Sequence, residues 1–387
     1  MKGMVGLFRM GCLAAILVVA GSAMAQQPGV SDTEILLGDA EPLTGPAALL
    51  GLSHQIGVKI AVEETNAAGG INGRKVRYVF EDEAYQTPRM IQAVRKLLDV
   101  DKVFAITGLS GSGQTLAVMP MLEKAGVPTV ISVAPVEPMW QPARKNIFVV
   151  GQSYNQGVRE LVRYLSQKYP GKRWGLITQD DDYGYYVRDG FEAGAKANKI
   201  NVVFSTNFRK GQQDFSAEIL RLKEAAVEIF IMAGIITENV AMMKELEKHN
   251  IKPVTAIFWV GRIEPVLRLM GPISDGMYVV DYVDSLAMAG GQEFLKKAKK
   301  YVSEAELKGI HRYTFTSYTG AKVLFEAMRR CGRNLTRECT IAELEKTKDF
   351  ESGVMTPISF GPGIRFSSQK LQVLRADFGT LSFRPAD

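Results

Sequence analysis

Short apolar runs alternate with longer amphipathic segments along most of this chain, and that alternation constrains its fold more than any other feature. Strands are expected at 35–40, 76–80, 104–108, 129–132, 148–151, 174–178, 201–205, 229–233, 255–259 and 276–280. Helical periodicity fills the gaps at 52–68, 87–100, 115–125, 156–168, 187–197, 215–225, 238–249 and 291–302. Repeated strand–helix–strand units predict an α/β fold with parallel sheets covered on both faces. Two such runs, before and after about Gly151, predict two similar lobes. The end of the chain, with helices at 316–330 and 341–348, breaks the alternation. In open parallel sheets ligands collect at the carboxyl ends of strands, so the loops there are the ones to read.

The first 25 residues carry a different signal. Lys2 and Arg9 precede an apolar stretch from Met10 to Ala20, and Ala23-Met24-Ala25 stands just before Gln26. This is the pattern of a secretory signal peptide over 1–25. The apolar stretch is shorter than the roughly 20 residues of a spanning helix, and Cys12 lies inside it rather than after its end. The mature chain is expected in the periplasm, with no membrane insertion of its own. Its length suits two domains of about 100–200 residues each. The formal charge of +6 drops by two when Lys2 and Arg9 leave, and the remaining excess is scattered. That excludes a nucleic-acid footprint.

Three histidines, His54, His249 and His311, speak against a histidine-rich metal site, and no metal or cofactor is expected. The chain holds no Gly-x-Ser-x-Gly elbow, no Gly-x-x-x-x-Gly-Lys phosphate loop and no His-Glu-x-x-His. No catalytic residue and no enzyme activity are expected. Cys331 and Cys339 remain after cleavage. An even pair in an oxidising compartment favours a disulfide closing a small loop, the alternative being two reduced thiols.

The segment Gly108-Leu109-Ser110-Gly111-Ser112-Gly113-Gln114-Thr115 runs from a strand into a helix. Glycines let backbone approach a ligand, a helix start offers unpaired N–H groups, and serine hydroxyls add donors. Together they make an anion site without arginine or metal. An ordinary capped loop, with Ser110 or Ser112 as N-cap, is the competing reading.

At its loops the chain resembles the periplasmic leucine-isoleucine-valine binding protein family, type I solute-binding proteins that feed ABC transporters. The resemblance rests on Leu43-Thr44-Gly45-Pro46, Asn66-Ala67-Ala68-Gly69-Gly70-Ile71-Asn72-Gly73-Arg74, Glu81-Asp82-Glu83-Ala84-Tyr85, Val103-Phe104-Ala105-Ile106-Thr107-Gly108, Asp182-Tyr183-Gly184 and Asp214-Phe215-Ser216, in order and over nearly the whole mature chain. It implies two Rossmann-like lobes crossed three times: 31–151 plus 281–372 as lobe one, and 152–280 plus 373–387 as lobe two. Hinges are implied near 151–154, 281–284 and 372–375, with closure on the ligand. Inner-membrane permease subunits and a monomeric binding protein are implied as well.

Carried over residue by residue, the resemblance places the ligand carboxylate at Ser112, Gly113 and Ser110, with Ala134 offering backbone. The family's threonine position is Val136 here. Where amino-acid binders neutralise the ammonium with a glutamate and tyrosines, this chain has Trp259, Ile235 and Leu50, and only Tyr183 is kept. A buried cation without a partner is costly. The substitutions therefore point to a carboxylate ligand with an apolar or aromatic body, with Trp259 offering a stacking face. A register error, with Glu83, Asp181, Asp182, Glu238 or Glu264 neutralising an amino acid, is the competing reading. Arg262 is either a solvated loop residue or the partner of a second acid group. Tyr85, Tyr154, Tyr313 and Phe315 are further cleft candidates. A branched-chain amino acid importer and a soluble ligand-sensing subunit remain the alternative functions.

Overall fold

The computed structural model describes residues 27–386. The leader read from residues 1–25, with its positive end, apolar stretch and cleavage site, lies outside the described residues.

Thirteen strands are present among the described residues: β1 (Glu34–Glu41), β2 (Lys75–Asp82), β3 (Ile106–Gly108), β4 (Thr129–Ile131), β5 (Ile147–Gly151), β6 (Arg173–Gln179), β7 (Asn201–Phe208), β8 (Ile229–Ala233), β9 (Val254–Phe258), β10 (Tyr278–Asp281), β11 (Phe366–Ser368), β12 (Gln372–Asp377) and β13 (Ser382–Pro385). They form two sheets. The first has the order β11-β5-β4-β3-β1-β2 and is parallel throughout. The second has the order β13-β12-β10-β9-β8-β6-β7. It is parallel from β10 to β7, with β12 and β13 added antiparallel at one edge. This is the α/β architecture the alternation predicts. Central strands such as β5 and β8 are buried along their whole length, as sheets covered on both faces require. Strands β11, β12 and β13 were not expected from the periodicity. The chain passes from the first sheet to the second between β5 and β6, back between β10 and β11, and again between β11 and β12.

The strand order locates the site. In the first sheet the winding direction reverses between β1 and β3, and in the second between β6 and β8. A crevice opens outside the carboxyl ends of strands at such a reversal. Both reversals face each other here. The helix Arg312–Arg330, buried along most of its length, packs against the helix Ala48–Ala67 over the first sheet. There Ser317 donates to the carbonyl of His54 at 2.8 Å, and the hydroxyls of Ser53 and Thr314 meet at 2.7 Å.

Cys331 and Cys339 are joined by a disulfide, with Cα atoms 5.9 Å apart. The bridge ties the end of that long helix to the helix Arg337–Glu345. Among the described residues no helix is long and apolar enough to cross a membrane.

Candidate functional site

A small enclosed cavity lies where the two reversals meet. From the first sheet's side it is lined by Leu50, Tyr85, the loop Ser110–Gly111–Ser112, the Val133–Ala134 segment and Tyr313. The opposite wall is Tyr154, Tyr183, Ile235 and Val260. The walls are closed on each other, leaving free space for about one water-sized sphere. A wider groove around Tyr169, Pro253 and Arg375 lies at the amino ends of β9 and β10 instead, away from both reversals.

The serine loop is shaped by backbone that only glycine adopts readily. Gly108 and Gly111 both have φ of 77°, and Leu109 follows at 64°. A Cβ on Gly108 would sit 2.3 Å from Asp39 Oδ1, so the strand end must be glycine for steric reasons too. The loop is fastened by Thr115 Oγ1 donating to Leu109 O at 3.1 Å and Gln114 Nε2 donating to Tyr85 O at 3.1 Å. The helix Ser112–Ala125 starts with Gly111 as N-cap, and no side-chain cap hydrogen bond forms. Neither serine is spent as a cap. The hydroxyls of Ser110 and Ser112 are buried and make no hydrogen bond of ordinary geometry; that of Ser112 lies beside Tyr154 and that of Ser110 beside Glu41.

The opposite wall is aromatic. Asp181 caps the helix Asp182–Asn198 by accepting from Gly184 N at 3.2 Å, which places Tyr183 in the first turn facing the cavity. Tyr154 opens the next wall helix and meets Tyr183 edge-on at 5.1 Å. The Tyr183 hydroxyl is buried without a partner. Burial pushes the phenols of Tyr85, Tyr154 and Tyr183 well above their ordinary range, so all three stay protonated. Among the described residues no Asp, Glu, Lys or Arg lines the cavity.

Several expected positions differ. Trp259 does not line the cavity. β9 ends at Phe258, and a single 3-10 turn, Trp259–Gly261, rotates the indole away. The ring is fully buried between Phe258 at 3.9 Å and Tyr282 at 5.0 Å, over Gly157. Val260 takes the cavity position, so the register error is one residue and the wall stays apolar. Val136 points into the core at the start of the turn Glu137–Met139, and Val133 stands in the wall instead. Gly113 faces Asp182 across the cleft, where a Cβ would lie 2.5 Å from Asp182 Oδ2; Gly111 is the lining glycine. Phe315 packs on Phe294 at 4.9 Å in the core. Ser110, Ser112, Ala134, Tyr183, Leu50, Ile235, Tyr85 and Tyr154 are brought together at the cavity. Gly111, Val133 and Val260 were missed. Each sits one to three residues from a named position, and strand periodicity carries no signal once a loop begins.

Among the described residues none of the acids weighed as ammonium partners lines the cavity; Asp182 lies beside Gly113, and Glu83 Oε1 and Glu264 Oε2 are buried without a hydrogen-bond partner. Glu83 accepts from Gln86 N at 3.0 Å; burial pushes its carboxyl up to about 7, against the pull of backbone N–H groups and Lys210. Lys210 reaches across from the second sheet, donates to Tyr85 O and lies 3.4 Å from the centre of the Tyr85 ring. Glu238 accepts from Gly211 N at 3.3 Å. Arg262 is neither solvated nor turned to the cleft. It is buried, donating to Asp281 and, at 3.2 Å, to Glu264, while Arg312 donates to Asp281 at 2.9 Å. Burial works to raise the Asp281 carboxyl, but the two guanidiniums hold it below the usual range. This network lies where the chain leaves the second sheet.

The periplasmic binding protein family model matches residues 34–380. A Leu/Ile/Val-binding protein homolog 7 from Brucella abortus is 28% identical over 331 residues, covering 81% of this chain and 82% of the relative. Among solved structures, a fatty acid ABC transporter substrate-binding protein from Thermomonospora curvata superposes with TM-score 0.83 at 21% identity, covering 94% of this chain and 95% of that one. A solute-binding protein from R. palustris in complex with 4-hydroxybenzoate superposes with TM-score 0.82 at 19% identity, covering 92% and 96%. Two parallel-rich α/β sheets facing across a cleft are what these structures share with the chain, and the matched span takes in nearly every described residue: the chain belongs to the periplasmic binding protein family.

Proposed function

We propose that this protein is the periplasmic solute-binding component of an ABC importer, capturing a small hydrophobic or aromatic carboxylate between two lobes. The lobes are 31–151 plus 281–372 and 152–280 plus 373–387, and the ligand enters when the closed walls part at the hinge. One observation carries the ligand class. The cavity offers the buried Ser112 hydroxyl and the Ser110–Ser112 loop at one end and apolar or phenolic groups elsewhere, and among the described residues no acidic side chain lines it. A carboxylate finds donors there. An α-ammonium finds only phenols, and an unpaired buried cation costs several kcal/mol. Tyr183 suits a polar tail such as a phenol. Two solved structures of this fold, one described as a fatty acid ABC transporter substrate-binding protein and one as a complex with 4-hydroxybenzoate, support this reading. The names of the curated relatives favour a second reading, branched-chain amino acid uptake.

A thermal-shift screen separates the two. A ligand at 100 times its dissociation constant stabilises by about 2.7 kcal/mol. Benzoate, 4-hydroxybenzoate or cinnamate is expected to raise the melting temperature, and leucine and valine are not. Stabilisation by leucine or valine alone would overturn the ligand class.

A further inference from the structure

Behind Ser110, on the side away from the cavity, three side chains that the binding reading does not use meet in the core. Asp39 and Glu41 lie two residues apart on β1 and so share one face of the strand. His54 comes from the helix Ala48–Ala67. All three are buried, and one donor atom from each lies within 4.8 Å of the others. His54 Nε2 is 2.7 Å from Asp39 Oδ2, which also accepts from Thr107 Oγ1 at 3.2 Å. With the Nε2 hydrogen assigned toward the Asp39 carboxyl, Nδ1 is left to present its lone pair. That Nδ1 stands 3.7 Å from Glu41 Oε1, too far for a hydrogen bond.

Several buried polar atoms there lack a hydrogen-bond partner. Asp39 Oδ1, both Glu41 oxygens and His54 Nδ1 are buried with no hydrogen-bond partner. The Ser110 hydroxyl, buried and without a hydrogen bond of ordinary geometry, lies beside Glu41 in the same place. Two ligands each about 2.0–2.1 Å from a zinc ion stand roughly 3.3–3.7 Å apart, so the Nδ1–Oε1 gap fits ligands sharing a metal. A histidine whose other nitrogen donates to a carboxylate is the usual orientation of a metal-bound imidazole.

We propose that His54 Nδ1 and Glu41, with Asp39 as the orienting partner on His54 Nε2, bind a first-row divalent transition-metal ion of the zinc type. Imidazole and carboxylate ligands suit such ions. The ion would place positive charge directly behind the serine loop of the cleft. The sequence hides this site because its ligands come singly from a strand and a helix, not in a motif.

The test uses untagged, chelator-stripped mature protein titrated with zinc alone, read by competition with a chromophoric chelator. Wild type is expected to take up one equivalent. Glu41→Gln and His54→Gln are expected to lose about 100-fold or more in affinity with unchanged circular dichroism. His249→Gln, which removes the half-buried His249–Glu245 pair (3.3 Å), is expected to bind as wild type. If the core variants do not fold, X-ray absorption of zinc-loaded His249→Gln decides: one imidazole with oxygen neighbours is expected, and a shell without imidazole overturns the proposal. It is also overturned if wild type takes up no zinc, the cluster then holding a proton instead, or if uptake is lost in His249→Gln or retained in Glu41→Gln.

Discussion

Replacing Ser112 by alanine should move stability and affinity in opposite directions. Ser112 is 2% exposed, and its hydroxyl, beside Tyr154, makes no hydrogen bond of ordinary geometry in the closed protein. An unpaired buried hydroxyl is a liability of about 1–3 kcal/mol, so removing it without a ligand should leave stability unchanged or raise it. Alanine also suits the first helical turn better than serine. A hydrogen bond to a charged group contributes about 1.5–3 kcal/mol, so a carboxylate ligand that takes the Ser112 proton should bind about 12- to 150-fold more weakly to the variant. Calorimetric titration with 4-hydroxybenzoate, beside thermal melts of the unliganded proteins, measures both quantities. Unchanged affinity would refute the carboxylate assignment. A loss of 1 kcal/mol or more in unliganded stability would show that the hydroxyl is structural.

Two further outcomes follow from the packing and the burial of charge. Gly157→Ala puts a Cβ 2.2 Å from Trp259 Cζ3 and 3.0 Å from Phe258 Cε2. Helix propensity gains about 1 kcal/mol, but overpacking against a fully buried ring should dominate, for a net loss of about 1–3 kcal/mol and a lower Tm; an unchanged Tm would contradict the position of the indole. His311 is buried with Nε2 3.2 Å from Leu49 O, and burial depresses its pKa to about 3. A depressed folded-state pKa gives stability that is complete above the unfolded value near 6.5 and is lost as pH falls toward 3. His311→Gln should flatten the decline of unfolding free energy in that window by up to several kcal/mol; an identical slope would mean the imidazole is solvated.

The fold was legible because central parallel strands are uninterrupted apolar runs, as in Ile229–Ala233, and each is followed by a helical period. The terminal strands were not. Phe366–Ser368 has three residues, and Gln372–Asp377 and Ser382–Pro385 pair antiparallel at an edge with mixed burial, so neither period stands out. In the cleft, positions adjoining a strand end were readable, and Ile235 and Tyr183 are there. Errors arose where local geometry resets the register. The turn after Phe258 moves the cavity position from Trp259 to Val260, and the Asp181 cap starts its helix five residues earlier than periodicity suggests. Buried partners distant in sequence, such as Arg262 with Asp281 and Arg312, leave no local pattern at all.

The central proposal is that the cleft receives an acid, because among the described residues no acidic side chain lines it to meet an amine. A matched pair tests it most directly: 3-phenylpropanoate and phenylalanine differ by the α-ammonium group alone. Calorimetric titration of both at one pH and salt concentration should show the amine-free acid binding at least about 100-fold tighter, the equivalent of roughly 2.7 kcal/mol. Equal affinity, or tighter binding of phenylalanine, would mean that a counter-charge reaches the cavity and would contradict the account.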